Sequence, residues 1–440
     1  MKKQRIKSTV KERLASLFSS NEEKQLFFNM AKLTTGEGIG RLIGILTTPI
    51  ITRIYSPSEM GVMAVFISLI AIVAPFGTFR YSLAIPLPKH DNSAINIVCA
   101  ALCFLSLTSV LLIVTLLIGG KQILMLLSME SIISYIWLIP IAFLGHGIFE
   151  LLSQWGVRKK AFTALTKTSV KQKIIGVIAK IGLGLVGIKP LGLIVGDLLN
   201  EMGGITSLLR TFRKDILLNK RFISRLKIRY VLRRYSSFPK YRIPSQLLLL
   251  LAGNIPIFFF AWKFDSAATG QIALARTMLS IPVTFIGYSV GKVFFAEIAA
   301  MGSHSGQAIY LLTRNVIKNL TKLSLVPFSI IILLGPFIFR TFFGVEWNQA
   351  GVYARIMAFY LLVQFVYSPI SDGIFNVFER QSFVFLLELS RFFIILMTFL
   401  LANWLNWDAL HTVSAYSAGL FVQYSISLFV VINIIKKSKK

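Results

Sequence analysis

The chain has 440 residues, of which 55% are hydrophobic and 15% are charged, and its formal net charge is +29. Soluble domains carry about 25% charged residues, which is more than this chain has. High apolar content with few charges excludes a disordered chain, a collagen and a disulfide-stapled secreted domain. The basic residues lie between long apolar runs rather than on a polar domain, which argues against a nucleic-acid-binding protein. The composition predicts an integral membrane protein.

Twelve apolar runs follow one another along the chain, and each is long enough to cross a bilayer, which takes about 20 mainly apolar residues. They predict an all-α integral membrane protein with about 12 transmembrane helices in two six-helix lobes. The predicted spans are residues 28–52, 59–78, 94–118, 131–152, 164–187, 189–209, 244–263, 268–290, 320–340, 350–372, 383–402 and 411–435. The first, fifth and tenth carry charges and are the less typical spans.

The distribution of Lys and Arg sets the predicted orientation, because basic residues concentrate in cytoplasmic loops. With a cytoplasmic N-terminus, the segments on the cytoplasmic side hold thirty-two Lys and Arg residues, whereas the outer turns hold five. Both termini are therefore predicted to face the cytoplasm.

The longest predicted loop divides the chain into two halves. In the loop, basic residues are interleaved with Phe, Ile and Leu, as in a helix that lies on an anionic membrane surface. An ordinary cytoplasmic loop is the alternative, and we favour it. The predicted segments are a basic amphipathic cytoplasmic N-terminus (1–27), an N-terminal lobe (28–210), a basic cytoplasmic linker (211–243), a C-terminal lobe (244–435) and a basic cytoplasmic tail (436–440).

The two halves show a faint internal repeat. Gly61 and Gly270 start the second and eighth spans, and each follows six residues after an aromatic residue, Tyr55 and Phe264. Six spans in each half give both halves the same orientation. Parallel repeats of this kind are a transporter architecture with the substrate site between the lobes.

The sequence lacks the motifs of an enzyme. Gly287–Val293 resembles a phosphate-binding loop but is one residue short and lacks the Ser or Thr that holds magnesium. The four histidines lie far apart, and His146, inside the fourth span, is interpreted as a packed, hydrogen-bonded side chain. The outer turns leave no room for a catalytic domain. We therefore predict a transporter with no catalytic residues, no metal site and no cofactor.

Charged residues inside the spans carry the functional argument, because such a residue costs roughly 2.5–3.5 kcal/mol at a helix centre and normally faces an interior or a water-filled cavity. Glu37 and Arg41 lie one turn apart in the first span, beside a seam formed by Gly36, Gly40 and Gly44. They form either a functional pair or a self-neutralising pair that only permits insertion.

Two further spans place opposite charges at similar depth. Lys180 lies in the fifth span and Asp197 in the sixth, and a tight turn joins these two spans. A structural ion pair between the two residues is therefore the interpretation we favour. Lys167, Lys171 and Lys173 follow the inner half of the fifth span and either extend to the lipid headgroups or form an anion funnel.

Arg276 lies about two turns inside the eighth span and has no acidic residue within four positions. It is the strongest single candidate for a substrate contact. With Arg41 and Lys180 it makes the interior of the spans cationic, which favours an anionic cargo, and Arg offers bidentate geometry to phosphate oxygens.

Several stretches of the chain resemble one family. They are Thr52–Gly61, Arg80–Pro88, Gln154-Trp155 with Arg158, Lys159 and Phe162, Tyr235–Ser245, and Gly270–Pro282 with Ala275-Arg276. They resemble the polysaccharide-transport branch of the multidrug/oligosaccharidyl-lipid/polysaccharide exporter superfamily, most closely the bacterial O-antigen (Wzx-type) flippases. The resemblance covers nearly the whole chain and is thinner in the second half.

This resemblance implies that the protein moves undecaprenyl-diphosphate-linked oligosaccharide units across the bacterial inner membrane by alternating access. The implied partners are the lipid-linked oligosaccharide, membrane lipid and a glycan polymerase or assembly machinery, but no nucleic acid. Arg41 and Arg276 would hold the diphosphate, Arg53 and Arg80 would assist at the two mouths, and Lys180 would lie within the site. Glu37 or Asp197 would couple transport to an ion. These site residues are Arg41, Arg276, Arg53, Arg80, Lys180, Glu37 and Asp197.

Two other functions remain open at this point. A cation-coupled multidrug exporter of the same superfamily would need a net acidic cavity, whereas these spans lean basic. A membrane enzyme such as a glycan polymerase typically needs a large outer loop, whereas the long loops here face inward.

Overall fold

A computed structural model describes residues 38–40, 42–127, 129–302 and 304–437. The predicted amphipathic N-terminus, Glu37, Arg41 and the last three residues of the basic tail therefore lie outside the described residues. Within the described part the chain is helical and has no β-strand, as predicted.

Fourteen α-helices occupy this part of the chain. The first, α1, covers residues 38–40 and 42–54. The others are α2 Pro57–Gly77, α3 Asp91–Leu126, α4 Leu138–Arg158, α5 Phe162–Leu185, α6 Leu191–Met202, α7 Ile205–Asn219, α8 Arg225–Arg234, α9 Ile243–Lys263, α10 Ser266–Met301, α11 Gly306–Phe343, α12 Asn348–Val377, α13 Gln381–Trp404 and α14 Ala409–Lys437.

Nine helices of the described part are long and apolar enough to cross a membrane, namely α2, α3, α4 and α9 to α14. They match nine of the twelve predicted spans. Of the other three, the first is described only in part as α1, and the fifth is α5, whose four lysines reduce its apolar character. The sixth predicted span does not form one continuous helix.

The sixth span, predicted over residues 189–209, is interrupted at Gly203 and Gly204. Helix α6 ends at Met202, and α7 begins at Ile205 and runs into the predicted linker. Close packing requires glycine at both positions. A Cβ at Gly204 would lie 2.4 Å from Thr168 Cγ2 of α5. A Cβ at Gly203 would lie 2.4 Å from the carbonyl oxygen of its own preceding turn. Glycine also weakens a helix interior by about 1 kcal/mol relative to alanine.

The helices pack as two lobes, with α1 to α6 in one and α9 to α14 in the other. Helix α12 is the centre of the second lobe and packs against α10, α11 and α14. Its buried face combines small and large residues, such as Ala354, Met357 and Ala358, which are fully buried. Close approach is possible because Gly351 meets Gly335 of α11, where a Cβ would lie 2.6 Å from the Gly335 carbonyl oxygen.

The two lobes touch where α2 crosses α10, near the start of both helices. A Cβ on Gly61 would lie 1.8 Å from the carbonyl oxygen of Ser266, and a Cβ on Gly270 would lie 1.9 Å from that of Pro57. The two contacts are equivalent, with the roles of the two helices exchanged, because each glycine is the fifth residue of its helix. The internal repeat in the sequence thus corresponds to a symmetric crossing of the lobes.

Hydrogen bonds between the lobes lie at the same end. Arg53 Nη2 donates to the Thr341 carbonyl at 3.1 Å, and the buried Trp347 Nε1 donates to the Thr52 carbonyl at 2.9 Å. We call this end of the molecule, formed by the crossing of α2 and α10 and by these two bonds, the closed end.

The linker is attached to the first lobe at the opposite end by a charge network. Asp215 of α7 accepts from Trp155 Nε1 at 2.9 Å and from Lys159 Nζ at 2.9 Å. Lys159 also reaches Asp91 at 2.6 Å, and Arg158 Nε reaches the other Asp91 oxygen at 2.7 Å. The start of α3, the end of α4 and the linker are thereby held together.

Helix α8 packs against the first lobe rather than lying free. Val231 is buried, and Tyr81 Oη donates to the Leu232 carbonyl at 3.1 Å. Asn96 of α3 donates to the Phe222 carbonyl at 3.1 Å. The linker is therefore helical and packs on the first lobe, and its arginines lie on an ordered helix.

Replacing Lys159 by methionine is expected to loosen the linker. Although burial alone would lower it, hydrogen bonds with Asp91 and Asp215 raise the pKa of Lys159, so the ammonium stays charged throughout the physiological range. Hydrogen bonds to charged groups contribute roughly 1.5–3 kcal/mol. We expect limited trypsin digestion to cut the linker several-fold faster in Lys159→Met, with the exposed neighbour Lys160→Met as control. Equal cleavage of the two variants would contradict this role.

Candidate functional site

A cavity of about 790 Å³ lies between the lobes, below the closed end. Helices α1, α2, α5 and α6 line it from the first lobe, and α9, α10 and α12 line it from the second. Several of these helices contain prolines within their length, including Pro75, Pro256 and Pro282. We call this space the central cavity.

The central cavity is cationic. Lys173, Lys180 and Arg276 line it, and among the lining residues that the structure describes there is no Asp or Glu. The rest of its wall consists of apolar side chains and hydroxyl groups, such as Thr48, Ser68 and Thr277. Such a surface suits an anion, because charges inside a low-dielectric cavity act far more strongly than in water.

Arg276 is held in this wall by one backbone contact. Its Nη2 atom donates to the Gly253 carbonyl of α9 at 2.7 Å. Among the described residues no carboxylate lies within ion-pair distance of it, and the side chain is half-buried. The remaining guanidinium donors have no partner among the described residues, so they can donate to an anion in the cavity.

Lys180 and Asp197 form the ion pair that the sequence predicts. Lys180 Nζ lies 2.6 Å from Asp197 Oδ1, and the two side chains are 15% and 14% exposed. Asp197 Oδ2 and Asn200 Oδ1, one turn away on α6, have no hydrogen-bond partner among the described residues. Because buried oxygens of this kind are normally satisfied, the two atoms are candidate acceptors for a proton or a cation.

Replacing Asp197 alone by asparagine is expected to destabilise the protein by roughly 3 kcal/mol or more, because removing one partner leaves a buried charge uncompensated. The double variant Lys180→Met with Asp197→Leu removes both charges and should recover most of this loss. Thermal unfolding in detergent, followed by tryptophan fluorescence, measures both effects. A single variant as stable as the wild type would show that the pair does not hold α5 to α6.

The structure places the two other predicted arginines outside the central cavity. Arg53 lies at the closed end, where it binds Thr341 of the opposite lobe. Arg80 pairs with Glu150 at 3.1 Å within the first lobe, and Glu150 also accepts from Ser82 at 2.9 Å. Arg53 thus bridges the lobes, and Arg80 is held by a partner 70 residues away in sequence.

Glu37 and Arg41, which were predicted as an ion-coupling and a substrate-binding residue, lie outside the described residues. Their neighbours on α1 are described: Gly40 and Gly44 both line the central cavity. A Cβ at Gly40 would lie 2.9 Å from Lys173 Cγ, so α1 passes directly over this lysine. His146 contacts Glu201 at 3.3 Å, in line with its interpretation as a hydrogen-bonded side chain.

A second space, of about 640 Å³, adjoins the central cavity on the side away from the closed end. It lies between α10 and α12, with Gly38 of α1 also in its wall, and it was not predicted from the sequence. Its lining includes four polar residues spaced four apart on α12, namely Gln364, Ser368, Asp372 and Asn376. This spacing puts them on one helix face, and it is the signal that could have revealed the site. We call this space the side chamber.

Sequence comparison places the chain in a family. The profile of a family described as polysaccharide biosynthesis protein matches residues 50–352. No curated protein matches the chain.

Solved structures share the fold at low sequence identity. The lipid II flippase MurJ, in an inward closed conformation, is similar with a TM-score of 0.71 and 12% identity, over 92% of this chain and 89% of that chain. An inward-facing multidrug resistance MATE family transporter of the MOP superfamily is similar with a TM-score of 0.61 and 15% identity, over 92% of this chain and 99% of that chain.

A MOP superfamily transporter from Pyrococcus furiosus, described as having a binding pocket of reverse polarity, is similar with a TM-score of 0.54 and 16% identity over 94% of this chain and 96% of that chain. The predicted fold class is confirmed by these likenesses. Because the family profile covers more than half of the chain, the protein belongs to the polysaccharide biosynthesis protein family, and it has the fold that the lipid II flippase MurJ and the MATE family transporter share.

Proposed function

We propose that the protein flips undecaprenyl-diphosphate-linked oligosaccharide units, of O-antigen or a related surface polysaccharide, from the inner to the outer leaflet of the bacterial inner membrane. The observation that carries the proposal is the cationic central cavity between two lobes, in a member of the polysaccharide biosynthesis protein family. A lipid diphosphate is an anion that must cross the membrane interior, and a cationic, water-filled cavity lowers the cost of that crossing.

The polarity of the cavity separates this proposal from the alternative of a multidrug exporter. Cationic drugs require acidic groups, whereas the described lining of this cavity includes Lys173, Lys180 and Arg276 and no Asp or Glu. The balance remains positive after the Lys180–Asp197 pair is subtracted. Transport of a cationic dye is therefore disfavoured.

The conformation fits uptake from the inner leaflet. The lobes meet at the closed end, and the arginine-rich linker lies at the opposite end, beside Asp91 and Lys159. Since basic loops face the cytoplasm, the end opposite the closed end is the cytoplasmic one in this proposal. The structure then corresponds to a state that receives substrate from the cytoplasmic leaflet.

In this proposal Arg276 and Lys173 bind the diphosphate, and Lys180 contributes while paired with Asp197. Arg41, which lies outside the described residues, is proposed as a further diphosphate ligand because it follows Gly40 in sequence. The polyprenyl tail stays in the lipid and passes through a portal beside α1 and α10. Arg53 and Arg80 act at the two ends, Arg53 by joining the lobes and Arg80 by holding the inner loop.

The membrane potential supplies a driving force without ATP. With the interior negative, outward movement of an anion releases roughly 2.3 kcal/mol per charge per 100 mV, and a diphosphate carries two charges. Glu37 or Asp197 would add coupling to a proton or sodium ion. Asp197 Oδ2, which has no hydrogen-bond partner among the described residues, supports Asp197 as the coupling residue.

A binding competition tests the anion selectivity directly. Purified protein in detergent is mixed with a short-chain polyprenyl diphosphate sugar, the corresponding monophosphate sugar and a cationic dye, and bound species are counted by native mass spectrometry. The diphosphate is expected to bind at least tenfold more tightly than the monophosphate, and the dye should not compete. Preferred binding of the dye would refute the proposal.

A further inference from the structure

The side chamber is continuous with the central cavity. Thr284, Phe285 and Gln364 line both spaces, so a ligand can extend from one into the other without leaving the protein. The chamber lies along the second halves of α10 and α12, away from the closed end. A headgroup in the central cavity would reach it through these shared residues.

The chamber wall is polar, and its polar groups face the space. Asp372 and Asn376 are exposed, and Gln364 and Ser368 are half-buried, on the same face of α12. From α10, Thr284 Oγ1 donates to the Ser280 carbonyl at 3.0 Å, so its hydroxyl oxygen keeps lone pairs for an incoming donor. Amide, carboxylate and hydroxyl groups therefore line the chamber together.

The charge of the chamber differs from that of the central cavity. Among the described residues its lining holds one cation, Lys292, and one anion, Asp372, whose charges balance, whereas three cations line the described part of the central cavity. Two aromatic side chains, Phe285 and Phe295, complete the wall. Neutral polar groups with aromatic rings suit an uncharged, hydroxyl-rich ligand, and they offer a phosphate no net attraction.

We infer that the side chamber binds the sugars of the lipid-linked oligosaccharide while the central cavity holds its diphosphate, an inference that rests on the proposed function. The volume of about 640 Å³ falls within the range of roughly 300–1,000 Å³ of small-molecule sites, so it accommodates a few sugar rings. Asp372 and Asn376 are the residues that distinguish one glycan from another, because planar side chains that accept and donate fix the positions of neighbouring hydroxyls.

The test compares two forms of one substrate. Lipid-linked repeat units are isolated from the source cells, and half of the sample is trimmed with glycosidases to the first sugar. Binding of both forms is measured in detergent for the wild type and for Asp372→Ala with Asn376→Ala. The matched control is Asn315→Ala with Asn319→Ala, two exposed amides also one turn apart on α11.

The chamber variant is expected to bind the complete repeat unit at least tenfold more weakly and the trimmed form unchanged, while the control binds both normally. Asp372→Asn in place of Asp372→Ala should restore part of the affinity for the complete repeat unit. An equal loss for both forms, or no loss for either, would overturn the inference while leaving the proposed function intact. Failure of the wild type to bind either form would instead refute the proposed function, and the inference with it. Gel filtration and thermal unfolding exclude a misfolded variant.

Discussion

Replacing Arg276 by alanine is expected to reduce the rate of lipid-linked oligosaccharide flipping at least about 100-fold. Arg276 lines the central cavity, and among the described residues the hydrogen-bond partner of its guanidinium is the Gly253 carbonyl. Its free donors offer a phosphate two charge-assisted hydrogen bonds, each worth roughly 1.5–3 kcal/mol. Their loss amounts to about 3 kcal/mol or more, and each 1.4 kcal/mol is a factor of ten.

Arg355→Ala is the matched control for this variant. Arg355 also belongs to the second lobe, and its Nη2 atom donates to the Leu333 carbonyl at 3.1 Å, but it does not line the central cavity. The two variants lose a comparable backbone contact, so a difference in transport reports the cavity-facing donors of Arg276. Arg276→Lys keeps the charge and should restore part of the rate. Normal transport by Arg276→Ala would end its assignment as the phosphate-binding residue.

Adding one methyl group at Gly61 is expected to force the closed end open and to slow transport at least tenfold. In Gly61→Ala the new Cβ would lie 1.8 Å from the Ser266 carbonyl oxygen, and backbone cannot be displaced by a side-chain rotation. Helices α2 and α10 must therefore separate. In alternating access the two ends of the cavity close in turn. A transporter that cannot close this end therefore cannot complete the cycle.

The opening is measured with a cysteine at Thr52, which is 4% exposed and lies beneath the closed end. In a background with Cys99 and Cys103 replaced by serine, labelling of Thr52→Cys by a membrane-impermeant maleimide should be slow in the parent and fast with Gly61→Ala. The control is Gly182→Ala, where a Cβ meets nothing within 4 Å. Slow labelling together with normal transport in Gly61→Ala would contradict the alternating closure of this end.

The sequence predicts the helices better than it predicts their interruptions. Length and apolar content locate α2, α3, α4 and α9 to α14, because crossing a bilayer imposes both requirements on any segment. The break between α6 and α7 depends on the packing of Gly204 against Thr168 of α5. Such a contact between distant residues leaves no local pattern beyond the glycine pair Gly203-Gly204 itself.

The candidate site was predictable where it is charged. Arg276 and the Lys180–Asp197 pair are conspicuous because ionisable residues are rare in apolar spans. By contrast, Gln364 and Ser368 of the side chamber resemble the scattered polar residues of any membrane helix, and only the structure shows that they share a cavity. The partner of Arg80 was equally hidden, since Glu150 belongs to a different helix.

Flipping in proteoliposomes tests the central claim most directly. Purified protein is reconstituted with a fluorescent polyprenyl-diphosphate oligosaccharide, and its arrival in the opposite leaflet is followed with and without an imposed membrane potential. The account predicts flipping that accelerates when the potential drives the anion across and that Arg276→Ala abolishes. Absence of flipping, accompanied by proton- or sodium-driven efflux of a cationic dye, would contradict it and show that the protein is a drug exporter.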